Sequence, residues 1–321
     1  MFYGIDVLQT RDYIKISSST FINKISEKYL SSWMHNFMTM SDWPTPLPLD
    51  PTWTKKFNAA IGNLNSIVQK KLATSMQLSY RCGIGELIWA SMTTTCPDLA
   101  YAAVKLSQAN CCPHKHHYHG LKHTLKYRYA TQDDGIFFWR TAPRMELKEG
   151  ALPPINSNSN KQDLLLNLPQ PEHDANIVHT YADSNWATCV KTSRSFGGAI
   201  ICLAGGMIAY KCKFQPTVAG SSTEAKFMAA YDTGKMILFV RSIMWDLGIP
   251  QEATIVRYED NDACTAMGNA QKPTTRTPHM DIKYFSICEW VDQDLMHLKQ
   301  IDTKFNISEH LTKSLSRALL H

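Results

Sequence analysis

The order of segments beyond residue 176 constrains this chain most. Ile177-Val-His-Thr-Tyr181, Gly197 to Leu203 and Met207 to Lys211 read as strands, the last two hinged at Gly205-Gly206. One long helix follows, from about Ser222 to Leu247. Its apolar residues at 225, 228, 229, 236, 239, 240, 243, 244 and 247 recur at helical spacing, and Gly248 and Pro250 end it. Thr254-Ile-Val-Arg-Tyr258 is a fourth strand. A short helix, a helix near Ile282 to Val291, a strand at Leu295 to Ile301 and a final helix after Asn306 complete the series. Three strands, a helix, then alternating strand and helix bury their apolar faces as a mixed α/β sheet.

Upstream the pattern changes. The chain has 321 residues, enough for about two domains. Phe2 to Leu8 and Tyr13-Ile-Lys-Ile16 read as a hairpin around Thr10-Arg11-Asp12, with Ser19-Thr20 capping the helix behind it. Prolines at 44, 46, 48 and 51 then impose an extended connector. From Leu78 to Trp139 the spacing is helical. Ile84, Leu87, Ile88 and Met92 form one face, Leu99, Ala102, Ala103, Leu106 and Ala109 a second, and Leu121, Thr124 and Leu125 a third. Gly135 to Trp139 is a short strand after this small helical bundle. Residues 148–176, with Pro153-Pro154, Asn156-Ser-Asn-Ser-Asn160 and Pro169-Gln-Pro171, read as a flexible linker and set the domain boundary.

Composition narrows the partners. The net charge of +5 is compatible with a polyanion. Nine cysteines, an odd number without a CxxC pair, together with the lack of a basic and then apolar leader, point to a reducing intracellular setting, cytoplasmic or nuclear, and not to secretion. The longest apolar stretch, Gly197 to Tyr210, is interrupted by glycines and too short for a bilayer, so no membrane partner is expected. Cys111-Cys-Pro-His-Lys-His-His-Tyr-His119 raises zinc, but adjacent cysteines suit tetrahedral ligation badly, and Pro113 reads as a helix start.

Four carboxylates fall where strands end or helices begin. Asp183 follows the first strand of the α/β part, Glu224 opens the long helix, Asp260 ends the fourth strand and Glu309 begins the last helix. A sheet gathers strand ends on one edge, and divalent cations relieve the repulsion of clustered carboxylates. Two Mg²⁺ ions ~4 Å apart can activate water and stabilise a leaving oxygen in phosphodiester cleavage. Each residue also has a simpler reading. Ser221-Ser-Thr-Glu224 is a capping box, Asp183 and Asp260 fit turns or caps, and Glu309 suits a first helical turn.

Motifs along the chain carry a resemblance. Tyr181-Ala-Asp-Ser-Asn-Trp-Ala187 is similar to the Y-x-D-x-D-W-A motif of the ribonuclease H domain in copia-type LTR retrotransposon Pol polyproteins. Ser193-Arg-Ser-Phe-Gly-Gly198 resembles the S-x-x-G that follows, and Ser221-Ser-Thr-Glu-Ala-Lys-Phe-Met-Ala229 resembles S-S-T-E-A-E-Y-x-A. Asp260-Asn261, Arg276-Thr-Pro-His-Met-Asp-Ile-Lys-Tyr284 and Ser308-Glu-His-Leu-Thr-Lys313 resemble the later D-N, R-T-K-H-I-D-I-R-Y and A-D-x-L-T-K. Upstream, Tyr80-Arg81, Ile84-Gly85, Pro97-Asp98-Leu-Ala-Tyr-Ala102 and Leu125-Lys-Tyr127 are similar to the reverse transcriptase thumb and connection.

The resemblance implies an organisation and a chemistry. Residues 1–50 would be the end of the palm and a connector, 51–147 a mainly helical thumb and connection region, 148–176 the linker, and 177–321 a ribonuclease H-like domain built on a mixed five-stranded sheet. The activity implied is metal-dependent cleavage of the RNA strand of RNA–DNA hybrids. Asp183 would bridge two Mg²⁺ ions, with Mn²⁺ as the alternative; Glu224 and Asp260 would hold one ion and Glu309 the other. Lys122, Lys126, Arg128 and His279 are candidates for contact with nucleic acid, and other retroelement Pol products are candidate partners. No Tyr-x-Asp-Asp motif occurs, so the resemblance implies a truncated Pol polyprotein, or a gene-model fragment, without polymerase activity.

The departures give the other reading, a catalytically degenerate nucleic-acid-binding remnant or an inert pseudogene product. Asn185 replaces an Asp, Cys96 an Arg, Pro278 a Lys and Phe285 a His. Lys226 replaces the second Glu of the helix motif and reads as a surface position. Glu309 replaces an Asp, which shifts its carboxylate by ~1.5 Å on an unchanged backbone.

Overall fold

A computed structural model of the chain describes residues 4–30, 43–62, 66–76, 78–92, 96–140, 177–269 and 278–315. The expected linker, 148–176, lies outside the described residues. Two bodies form, one on each side of it.

In the first body, β1 (Asp6–Gln9) and β2 (Tyr13–Ser17) make the expected hairpin. β3 (Gly135–Trp139) joins the free edge of β2, with Tyr13 opposite Trp139. Phe137 and Trp139, two residues apart, share one face with Tyr13, whose ring lies 5.1 and 5.3 Å from theirs. The rest of this body is helical: α1 (Ser19–Leu30), α2 (Pro51–Ala60), α3 (Ser66–Met76), α4 (Tyr80–Met92), α5 (Ala100–Ser107) and α6 (Lys115–Ala130). Ile22, Leu47, Phe57, Leu87, Leu106 and Leu121 belong to a single core, so the parts before and after residue 50 are packed together. The proline-rich connector ends by starting a helix. Asp50 accepts from the Thr52 amide at 2.8 Å, and Pro51 takes the first helical position, where no donor is needed.

The second body holds the expected α/β sheet. β4 (His179–Asn185), β5 (Phe196–Leu203) and β6 (Gly206–Phe214) run antiparallel. Then come α7 (Ser222–Asp246), β7 (Ile255–Glu259), α8 (Asp262–Asn269), α9 (Pro278–Asp292) and β8 (Met296–Gln300), with β7 and β8 parallel to β4 and to each other. The strand order is β6-β5-β4-β7-β8. This is the mixed five-stranded sheet with helices that the sequence implied. Phe227, Ala230 and Ile237 of α7 meet Ile201 and Ile255 of the sheet and Ile287 of α9 in its core. α7 stops as its sequence requires. Gly248 adopts φ 75°, and the Ile249 amide reaches back to the Met244 carbonyl at 2.9 Å.

Two boundaries differ from the expectation, and both bear on the site. β4 continues past Tyr181 to Asn185, so Asp183 lies within the strand, opposite Gly198 of β5. Polar side chains do not end a strand whose backbone still has a partner, here Phe196 to Ala199 of β5. The expected final helix is a 3₁₀ segment, Ile307–Leu311, capped by Asn306, and Glu309 is at its centre.

The two bodies touch. The Trp139 amide donates to the Ala204 carbonyl at 2.8 Å, and the Tyr101 ring lies 5.0 Å from that of Phe196.

Candidate active site

Asp183, Asp260 and Glu309 come from separate motifs to one edge of the sheet. Asp183 is placed by β4, the central strand, and is buried. Asp260 directly follows β7, the strand beside it. Glu309 arrives with the 3₁₀ segment, which lies flat on β4 and β5 because Gly198 has no side chain. A Cβ there would stand 2.8 Å from Leu311 Cβ and Thr312 Cγ2, and 3.0 Å from the Ser308 carbonyl oxygen. At the end of the segment Thr312 Oγ1 donates to Asp183 Oδ2.

Glu224 has a different place. Its Oε2 accepts from the Gly220 amide at 2.8 Å, and its own amide donates to Ser221 Oγ at 3.1 Å. These contacts form a helix cap, which is its simpler sequence reading.

Lys226 is the residue that reaches the carboxylates, and the expectation of a surface position is corrected. Its Nζ is 3.3 Å from Asp183 Oδ1 and 3.8 Å from Glu259 Oε1, and it donates to Asp260 Oδ1. Its side chain is only 14% exposed. Residues two apart on a helix are separated by about 200° around its axis. If position 224 faces the cap, position 226 therefore faces the sheet edge. Burial disfavours the Lys226 charge, but Asp183, Glu259 and Asp260 outweigh that and hold its ammonium above the ordinary lysine value. Burial also works against the Asp260 carboxylate; Lys226 chiefly reverses this and holds the carboxyl below its usual range.

Further residues complete the cluster. Glu259 is fully buried and accepts from Arg257, and burial pushes its carboxyl up to about 8 against the pull of Arg257 and Lys226. Glu309 is raised by burial, with Asp183 and Asp260 adding to the rise, while Lys313 Nζ opposes it from 2.5 Å. Thr303 Oγ1 donates to Asp260 Oδ2 at 3.1 Å. Lys313 and Thr312 lie in the motif Ser308-Glu-His-Leu-Thr-Lys313, so their nearness to Glu309 was open to reading. The partnership of Glu259 with Lys226 was not.

A pair of divalent ions does not fit this arrangement. Hard cations need free carboxylate oxygens. Here each oxygen of Asp183 faces a protein donor, Lys226 on Oδ1 and Thr312 on Oδ2. Asp260 is engaged in the same way, by Lys226 on Oδ1 and Thr303 on Oδ2. Among the described residues no three His, Cys, Asp or Glu side chains gather as a metal-binding group.

The candidate contacts to nucleic acid divide. Arg128 is buried and donates to the Thr131 carbonyl and Ser18 Oγ, so its charge is used inside the first body. Lys126 is also buried, with Nζ 4.2 Å from the centre of the Trp43 ring. Helical spacing turns Arg128 inward with Leu121 and Leu125, and Trp43 covers Lys126, which the basic character of the segment concealed. Lys122 is half-buried. His279 belongs to the first turn of α9, and its side chain lies outside the described residues. In the histidine-rich segment His117 is buried. Its Nδ1 accepts from the His114 amide at 2.8 Å, and its Nε2 donates to the Phe57 carbonyl at 3.0 Å, so both ring nitrogens are used in packing. Among the described residues no helix is long and apolar enough to cross a membrane.

No family model matches the chain. Among curated proteins it is similar to the retrovirus-related Pol polyprotein from transposon TNT 1-94 of Nicotiana tabacum, with 26% identity over 293 residues, covering 91% of this chain and 19% of that protein. It is also similar to the one from transposon RE1 of Arabidopsis thaliana, with 29% identity over 238 residues, covering 74% of this chain and 14% of that protein. The chain thus spans about a fifth or less of the length of these relatives. Among solved structures, LC11-RNase H1 in complex with an RNA/DNA hybrid is similar to 42% of this chain over 93% of its own, with 9% identity and a TM-score of 0.33. Relatives of one kind, Pol polyproteins of copia-type plant retrotransposons, thus align along most of the length of the chain at 26–29% identity, with their motifs in order.

Proposed function

We propose that residues 177–321 are the ribonuclease H unit of a retroelement Pol product that engages RNA–DNA hybrids without cutting them. One observation carries the choice between binding and cleavage: Lys226 stands between Asp183 and Asp260, where hydrolysis would need a divalent ion. The similarity to Pol polyproteins and the ribonuclease H-like sheet support the hybrid as ligand. The edge that would meet it has an open cleft lined by Asp260, Gln300, Ile301, Asp302 and Thr303. The 2′-hydroxyls of the RNA strand distinguish such a ligand from duplex DNA.

The second reading is metal-dependent cleavage of the RNA strand, favoured by the meeting of Asp183, Asp260 and Glu309 at one edge. Incubating the full chain with end-labelled hybrid, in Mg²⁺ and then in Mn²⁺, decides between the two. The expected result is a retarded hybrid, intact in both strands, with binding that falls steeply as salt rises. RNA-strand cleavage that disappears in Asp183→Asn would establish the second reading. No binding at low salt would remove both.

A further inference from the structure

The carboxylate cluster holds more than a lysine beside an aspartate. A single ammonium reaches Asp183 on β4 and Glu259 and Asp260 at the end of β7. The opposite oxygens of both aspartates are taken by Thr312 and Thr303. The carboxylate that remains, Glu309, has a lysine of its own, Lys313. Each carboxylate at this edge therefore has a cation or a hydroxyl donor that the chain itself supplies.

We propose that Lys226 is the resident cation of this centre, a covalently attached ammonium that closes the edge to divalent ions. The inference rests on the reading of this edge as the nuclease centre, but it concerns metal binding and is tested without nucleic acid. Two considerations support it. A divalent ion binds carboxylate oxygen at about 2.0–2.6 Å, so an ion shared by Asp183 and Asp260 would need the space that Nζ occupies. The ammonium would also repel such an ion at short range in a site largely removed from water, where screening is weak. A tethered cation has no release equilibrium, so the cluster should keep its counter-charge and stay folded at any concentration of metal. The same geometry predicts what removal of the lysine exposes: Asp183 and Asp260, already gathered, without a counter-charge, and able to accept an ion.

Thermal melting of the full chain in EDTA and in Mn²⁺ tests this, with Mn²⁺ binding followed in parallel by electron paramagnetic resonance. The wild-type chain is expected to melt at one temperature in both buffers and to leave the Mn²⁺ spectrum that of the free ion. Lys226→Glu places a further carboxylate at the centre. It should melt lower in EDTA and recover by about 5 °C in saturating Mn²⁺, with the gain lost when Asp183→Asn is added. Lys226→Met, which is neutral and similar in size, should show a smaller gain of the same kind, and it carries the test if Lys226→Glu does not fold. Mn²⁺ that binds and stabilises the wild-type chain as it does the variants, through Asp183, would overturn the proposal. So would folded Lys226→Glu and Lys226→Met proteins that neither bind Mn²⁺ nor gain from it.

Discussion

Lys226 shows what a single side chain contributes here and why its role was hard to read. Asp183, Asp260 and Glu309 were legible because motifs at strand ends point to one edge. The position on α7 was not. Glu224 and Lys226 flank the buried Ala225, each about 100° from it around the axis. Both fit the apolar spacing of the helix equally well. Only the tertiary placement of the helix decides which one faces β4, and it selects the lysine. A surface lysine can be lost at a cost within about 0.5 kcal/mol. Lys226→Met instead leaves Asp183 and Asp260 of a buried cluster without their cation, for which a loss of about 3 kcal/mol is expected. Urea unfolding should show it as a lower midpoint with an unchanged slope. A shift no larger than that of Lys235→Met, at an exposed position on the same helix, would assign Lys226 to the surface after all.

Elements were read well where periodicity was long and poorly where local chemistry competed with pairing. The five strands and the long helix of the second body follow from spacing and from Gly248. The end of β4 does not, because Asp183, Ser184 and Asn185 look like turn residues until Phe196 to Gly198 pair with them. The 3₁₀ segment at Ile307–Leu311 is likewise fixed by what it lies against. Its approach depends on Gly198, so Gly198→Ala should push the segment off the sheet and destabilise the body by about 1–3 kcal/mol, the usual cost of overpacking. Hydrogen exchange should then reveal early loss of protection at Thr312 and Lys313, whose amides bond to the Glu309 carbonyl. The cap of α7 gives a second test. Ser221→Ala removes the acceptor of the Glu224 amide and should cost about 1 kcal/mol, without moving Lys226 from its partners on the far side of the helix.

At the scale of the molecule, the sequence announced a linker and hence two parts, but it gave no sign that the parts would rest on each other. Contacts of that kind arise between surfaces that periodicity describes separately. Gly206, at the start of β6, admits the edge of β3: a Cβ there would come within 2.6 Å of the Phe137 carbonyl oxygen and of Phe138 Cδ1. With the Trp139–Ala204 hydrogen bond and the Tyr101–Phe196 contact, this should couple the bodies into one melting transition, and Gly206→Val should split it in two. Acid identifies which transition is which. Burial lowers His117 and His123 of the first body to about 4, and both rings bond to backbone carbonyls, of Phe57 and Thr45. The unfolded chain takes up protons at these histidines as the pH falls below about 6.5, while the folded body resists until about 4. The stability that the neutral rings supply is therefore complete above about 6.5 and drains away as the pH falls towards 4. In calorimetry of Gly206→Val, one transition should move down between pH 7 and pH 5, and replacing His117 with Gln should reduce that movement. If both transitions shift together, or the variant still melts as one, the bodies are coupled through something other than the β3–β6 contact.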